Sequence, residues 1–456
     1  MRVFVELLRT LLVGVLGIVF RWRVPEVIVV KTLFGTQDHP VNERFFLRSS
    51  AASFLRVIRI VWGNSERDDE SPEQVDSVIV RSPVTPATRD YLCEYVDLGN
   101  VAFVERLNAI NQLSLVGRFL ITVLAIFWFL MAFPAACWTG SIGPLQRVEE
   151  AVRTLKVVCF VSELKPSRVI YYGSYERNGN LVAFMLKRVA QARVTRIVSP
   201  NPIVFHYQRS VCDDFILTSP SQILEFLEFR KDWFVNRVFL WKPPQHLSFP
   251  ENAYRIAEGD GLTIGVLSGG QWRRKERGDA FNDVRLKQLH AEERLHDAVR
   301  RFLDGKPELK ITVYPHPSEK FEPKVFARAK ELYQERLGKE RLSIVGPDER
   351  THQRFRDADV FVSVWSTSAL EAIYCGHKVL FAQFGCEKNA PGSSLEGVQA
   401  TDERQFQERL GELLSMSADE YFQKYNLMAY RHDFYPTGPI KIFENGTVES
   451  GVEALF

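Results

Sequence analysis

The sequence predicts an α/β protein of two domains, each built on a mostly parallel sheet. Three observations carry this expectation. Short β-rich apolar runs alternate with helix-length segments along most of the 456 residues, and that alternation builds parallel strands joined by helical crossovers. A chain of this length holds two domains of ordinary size. The stretch Trp241–Pro250, WKPPQHLSFP, then breaks the alternation with three prolines and marks a boundary. The expected division is residues 1–242, residues 251–435 and a polar, poorly packed tail at 436–456.

Composition narrows the function classes. With 46% hydrophobic residues and 12% aromatics the chain can bury a sizeable core, and a net charge of +2 leaves no global electrostatic footprint for nucleic acid. The six cysteines include no C-x-x-C pair, so neither a zinc site nor a disulfide framework is expected, and a reducing cytosol fits. Charge is uneven, however. Residues 1–60 interleave basic side chains with apolar runs, a pattern suited to an anionic membrane surface.

In chain order, residues 1–20 (MRVFVELLRTLLVGVLGIVF) carry Glu6 and Arg9, lack a small-residue cleavage site, and have too short an uncharged run to span a bilayer. A membrane-lying or buried helix is expected there. Val27–Leu33 reads as a strand, with Asp38 and His39 in the loop after it, then an apolar helix to about Trp62. Asp76–Val80 is a second strand. Phe119–Trp138, preceded by Arg118, contains no charge over twenty residues. A single span would put the α/β elements on either side of it across the membrane from each other, so segment 118–138 is expected to dip into the bilayer. Val157–Val161, Arg168–Tyr172, Arg196–Ser199 and Phe215–Thr218 read as further strands, with helices at Leu181–Ala190 and Ser221–Phe229.

The second half predicts strands at Leu262–Leu267, Lys310–Tyr314, Leu342–Val345, Val360–Val364 and Val379–Phe381, and a helix near Ala418–Ala429. Three loops follow these strands, on the edge where open α/β sheets bind ligands. The first is Ser268-Gly269-Gly270-Gln271-Trp272-Arg273-Arg274-Lys275, in which glycines permit close approach to phosphates and cations can neutralise them. The second is Tyr314-Pro315-His316-Pro317, in which flanking prolines aim one imidazole. The third is Ser366-Thr367-Ser368 at the start of a helix that Gly376 ends. Such a helix start, with unpaired N–H groups and the positive dipole end, suits a phosphate. Glu371, one turn further in, is placed to accept ribose hydroxyls.

Together these loops resemble the donor-nucleotide half of GT-B glycosyltransferases. The nearest likeness is to bacterial transferases with an HP motif and a downstream serine motif, which include polysialyltransferases, Kdo transferases and polyglycerol-phosphate transferases. Here HP is His316-Pro317, and the serine motif is Ser366-Thr367-Ser368 with Glu371-Ala372. The resemblance implies two Rossmann-like domains facing a cleft, and roles for His316, Ser366 and Ser368 in holding the phosphate of a CMP- or CDP-activated donor. The acidic motif of polysialyltransferases has only Glu258-Gly259-Asp260-Gly261 as a counterpart, just before the second domain's first strand. The S/T-x-x-E-A pattern also occurs with UDP- and GDP-sugars, so the donor nucleotide stays open.

An inverting enzyme of this kind takes its general base from the first domain. Glu176, in YYGSYERNGN after the strand Arg168–Tyr172, is the expected base, with Asp213 and Asp214 as second choices. No metal is expected, because arginines, the helix dipole and hydroxyls can carry the phosphate charge. The reading is a metal-independent transferase at the cytosolic face of a bacterial inner membrane. Its partners would be a nucleotide-sugar donor and a lipid-linked or glycolipid acceptor. A nucleotide-sugar 2-epimerase of the same fold, or a non-catalytic scaffold in polysaccharide export, are the alternatives.

Overall fold

Buried β-branched runs flanked by helices assemble here into two sheets, seen in a computed structural model. It describes residues 2–20, 23–26, 75–80, 92–104 without 94, parts of 118–134 and 152–164, then 165–172, 179–197, 210–230, 233–243, 249–254, 262–276, 283–364, 366–385, 393–435, 438–450 and 452. The first sheet contains β1 (Ser77–Val80), β2 (Val101–Val104), β3 (Arg168–Tyr172), β4 (Arg193–Ile197), β5 (Val211–Leu217) and β6 (Phe234–Leu240). These six pair in the order β2-β1-β3-β4-β5-β6, all parallel. Helices Gly179–Val189 and Pro220–Phe229 are the crossovers β3 to β4 and β5 to β6.

The second sheet comprises β7 (Thr263–Leu267), β8 (Lys310–Tyr314), β9 (Leu342–Ile344), β10 (Val360–Ser363), β11 (Lys378–Ala382) and β12 (Gln399–Ala400). Its order, β12-β11-β10-β7-β8-β9, is wholly parallel. Numbered within the sheet, that is 3-2-1-4-5-6, with the reversal of direction between β7 and β10. A crevice outside the carboxyl ends of those strands is where such sheets take ligands. The strands β5, β10 and β11 are buried along their whole length, as parallel strands covered on both faces must be.

Several expectations change. Val157–Val161 is helical, not a strand. Val152, Leu155, Val158 and Val161 are all buried, and this three-residue spacing is a helix stripe that a short window reads as a β run. The strands β2 and β6 lie in stretches that were given no element. Within the expected tail, the described residues 438–450 are not poorly packed, because β13 (Ile440–Glu444) pairs antiparallel with β6, and β14 (Thr447–Val448) completes the first sheet. Asn445 and Gly446 between them both have positive φ, at 46° and 97°, the requirement of a two-residue type I′ turn. Among the described residues no helix is long and apolar enough to cross a membrane. Val27–Leu33, Asp38, His39, Glu258–Gly261 and the helix to Trp62 lie outside the described residues.

Candidate functional site

The three loops leave adjacent strands in the order β10-β7-β8, so one carboxyl edge gathers them. Ser363 Oγ donates to the Leu267 carbonyl at 3.3 Å and ties the ends of β10 and β7 together.

His316 is set by its own neighbours. It caps the short helix Pro317–Lys320, and its Nδ1 accepts from the Ser318 N–H at 3.1 Å, with Ser318 Oγ 2.8 Å away. A nitrogen that accepts from an amide carries no proton, so in the neutral ring Nε2 bears the hydrogen and acts as donor. Gly270, at φ +66°, packs against this ring. A Cβ there would stand 3.1 Å from His316 Cβ and 3.3 Å from Cγ, in a conformation that side chains resist.

The glycine loop does not present an open cradle of amides. Gly269 N–H donates to Glu292 Oε1 at 2.6 Å, Gln271 N–H to Glu292 Oε2 at 3.2 Å, and Gly270 N–H to Ser268 Oγ at 3.0 Å. The carboxylate of Glu292, on helix Asp283–Leu303, thus occupies the place expected for an anionic ligand. Arg273 bonds the Ser318 carbonyl and reaches Glu322 at 3.1 Å, and Lys275 lies 3.6 Å from Glu293. Nothing is described of the Arg274 side chain. The loop's visible role is to fix His316 and the strand end.

A second carboxylate completes this core. Glu319 is fully buried and accepts from Trp272 Nε1, from Tyr333 Oη at 2.8 Å and from the His316 N–H at 2.5 Å. Tyr333 Oη also lies 2.7 Å from Ser268 Oγ, which donates to Glu292 at 3.1 Å. The hydrogen-bonded chain Glu292–Ser268–Tyr333–Glu319 therefore joins the first two loops from beneath. Burial and the charge of Glu319 push the Glu292 carboxyl up to about 7, and burial raises Glu319 too. Neither residue was among the expected site residues. The signal was present, since Glu292 falls on the helix stripe Leu289, Leu295 and Val299, where a charge is out of place.

The third loop starts the helix Thr367–Tyr374. Ser366 caps it, its Oγ accepting from Ser368 N–H at 3.2 Å. Ser366, Thr367 and Ser368 are each partly exposed. Gly376, at φ +93°, ends the helix as expected. Glu371 faces a narrow cleft with Leu370 and Tyr374 on one side and Thr218, Ser219 and Pro243 on the other. Thr218 and Ser219 directly follow β5 and Pro243 follows β6, so the carboxyl edges of the two sheets meet across this cleft. Tyr435 Oη bridges it to the Thr218 carbonyl at 3.1 Å. Burial pushes the Glu371 carboxyl up to about 7, against a hydrogen bond from Ser368.

In the first domain Asp213 and Asp214 lie within β5, not before it. Asp214 is fully buried and receives both Arg193 and Arg237 in two-pronged contacts of 2.8–3.1 Å, plus Tyr95 Oη at 2.9 Å. Asp213 takes Lys187 Nζ at 2.5 Å and Val194 N–H at 2.9 Å. Arg193 opens β4, and Asp214 and Arg237 sit midway along β5 and β6, so this cluster lies within the sheet and not at its carboxyl edge. Both aspartates are structural. Glu176 lies outside the described residues. In the sequence it falls between β3 and the helix Gly179–Val189.

No family model matches the chain, and no curated protein matches it. Among solved structures it is similar to a UDP-GlcNAc 2-epimerase from Neisseria meningitidis bound to UDP-GlcNAc, at 12% identity and TM-score 0.43, over 78% of this chain and 95% of that one. It is also similar to an O-GlcNAc transferase from Thermobaculum terrenum, at 12% identity and TM-score 0.37, over 90% of this chain and 74% of that one. A third likeness is to OtsA, at 12% identity and TM-score 0.44, over 78% and 95% of the two chains.

Proposed function

We propose that the chain is a membrane-associated, inverting GT-B glycosyltransferase that moves a sugar from a nucleotide donor to a lipid-linked or glycolipid acceptor. It would work at the cytosolic face of a bacterial inner membrane, in surface polysaccharide assembly. The observation that carries this reading is that one carboxyl edge holds both His316, with Nε2 as its donor, and the Ser366-capped helix start, after strands on either side of β7. Nε2–H is a donor of the kind that phosphate oxygens accept, and the positive end of the helix dipole favours the same charge. Thr367 and Ser368 add hydroxyls, and Glu371, one turn further in, is the proposed acceptor for ribose hydroxyls.

In the proposed reaction the acceptor hydroxyl attacks the anomeric carbon from the first-domain side. Its proton passes to Glu176 as the new C–O bond forms. The bond from the anomeric carbon to the donor phosphate breaks, and the nucleotide leaves with the electron pair on an oxygen held by His316 and the Ser366 helix. One displacement inverts the anomeric centre, and preorganised donors supply the stabilisation of the leaving group. The nucleotide is CMP- or UDP-linked. Gly270, Pro317 and Arg273, which bonds the Ser318 carbonyl, hold the His316 turn, and Gly269, Arg274 and Lys275 are proposed to line the donor side with them.

Calorimetry with CMP, CDP, UDP and GDP tests the reading. One nucleotide should bind, and His316→Ala and Ser366→Ala should each weaken it by about 10- to 100-fold, the loss of one hydrogen bond to a charged group. Folded protein that binds none of the four would overturn it.

A further inference from the structure

Two helical stretches of the first half bury one apolar stripe and present another to the outside. In helix Arg2–Val19, Leu7 and Thr10 are buried, and Thr10 Oγ1 lies 4.0 Å from Met185 Sδ on helix Gly179–Val189. Facing away are Val5, Leu8, Leu12, Leu16 and Val19, between 37% and 67% exposed, with Phe20 next at 62%. Their steps of 3, 4, 4 and 3 form one continuous line along the helix. In residues 118–134, Ile121 and Ala125 are buried, while Phe119, Val123, Ile126 and Leu130 are 39% to 64% exposed, again at steps of 4, 3 and 4. Leu7, Ile121 and Ala125 belong to the core that contains Val78, Val80 and Val169. Ile79 and Ile170, which alternate with these along the strands, pack instead with Leu92, Leu98 and Trp241. Helix Arg2–Val19 packs on helix Gly179–Val189, both stretches anchor in that core, and both stripes are exposed.

An ordinary water-facing helix is polar on its outer side. Here the exposed side chains of the first stripe are apolar except for Arg9, 53% exposed. Among the described residues the second stripe has no charge within it, and the sequence Phe119–Trp138 contains none. Basic and aromatic residues, Arg21-Trp22-Arg23, follow the first stripe directly. A protein partner would call for a polar rim and hydrogen-bonding groups. Apolar stripes with arginines and an aromatic ring at the end match instead the interface of an anionic bilayer.

We propose that these two stripes form a monotopic docking face, lying in the plane of an anionic lipid surface without crossing it. This identifies the lipid partner of the membrane-associated reading above and rests on that reading for nothing else. The test is flotation of the full chain with vesicles of phosphatidylcholine alone and of phosphatidylcholine mixed with phosphatidylglycerol. Three proteins are compared: wild type, Leu8→Glu with Leu12→Glu, and Val123→Glu with Ile126→Glu. Both pairs replace exposed side chains, and circular dichroism melts should match wild type. Wild type is expected to float with the anionic vesicles, and each pair to lower binding by roughly tenfold or more, with added salt weakening wild type. Variants that float like wild type would overturn the proposal. So would a wild type that ignores vesicles and is a stable dimer broken by the same substitutions. Nucleotide titration of the same proteins separates the two readings. Intact nucleotide binding without flotation removes only the docking face, whereas flotation without nucleotide binding removes only the donor site.

Discussion

Glu292 and Glu319 set the behaviour of the donor edge at the level of single residues. Two buried carboxylates share a chain of neutral donors, and their mutual repulsion adds to the cost of burial. The Glu292 pKa rises from 4.5 in the unfolded chain to about 7 in the fold. A raised acid stabilises the fold fully below the unfolded value, and that contribution is lost as pH climbs through the folded one. The wild-type unfolding free energy should therefore fall by on the order of 1–3 kcal/mol between about pH 4.5 and 7, and the melting temperature with it. Glu292→Gln should flatten this part of the curve, and calorimetric melts at closely spaced pH values would show it. A variant with unchanged slope would remove Glu292 as the titrating group. Burial raises the Asp214 carboxyl too, but Tyr95 and the arginines pull against it and pair its charge. Asp214→Ala leaves Arg193 and Arg237 facing each other with no counter-charge, and should cost about 3 kcal/mol in urea unfolding.

Among the elements, β7 shows how closely the second sheet is built around one missing side chain. A Cβ on Gly265 would lie 2.6 Å from Phe361 Cδ1 and 2.9 Å from Ala358 Cβ. Phe361, fully buried on β10, packs across β7 at this point and also against Phe355 and Tyr314, with ring centroids 5.3 and 5.4 Å away. Gly265→Ala must displace that ring, so a loss of about 1–3 kcal/mol is expected in urea unfolding. This domain was also the more legible from sequence. Lys310–Tyr314 and the cap and stop of the helix Thr367–Tyr374 stand where apolar runs, Ser366 and Gly376 put them, because local chemistry decides them. Val157–Val161 and β6 were not legible for the same reason in reverse. A short apolar run has no period of its own, and tertiary pairing selects its state. The site divides likewise. His316 and Ser366 announce themselves through proline and capping, while Glu292 acts only through a contact made by a distant helix.

Across the whole molecule, the chain passes between the two sheets twice. The first passage is Trp241–Tyr254, where His377 Nε2 meets the Ala253 carbonyl at 2.7 Å and fastens the linker to the second sheet. Burial lowers this imidazole to about 4, so it is neutral and donates from Nε2. The second passage is residues 435–440, which carry the chain back to β6. There Phe443 packs on Phe226 at 5.3 Å between centroids, and Ile442 is fully buried. The Asn445-Gly446 turn was readable as a hairpin signal, but its docking partner, β6, far earlier in the chain, was not. This hairpin covers the edge of β6, whose unpaired backbone would otherwise be open to pairing with another chain. Ending the chain after Tyr435 should therefore act on the first domain, although the deleted residues follow the second. It removes the burial of Ile442 and Phe443, about 3–5 kcal/mol by side-chain area. The truncated protein should melt in two steps, the first-domain step lowered, and should aggregate with concentration once that step begins. Differential scanning calorimetry with light scattering separates the outcomes. A single unshifted transition would mean that β6 needs no cover, and that the hairpin contributes nothing to holding the two sheets as one body.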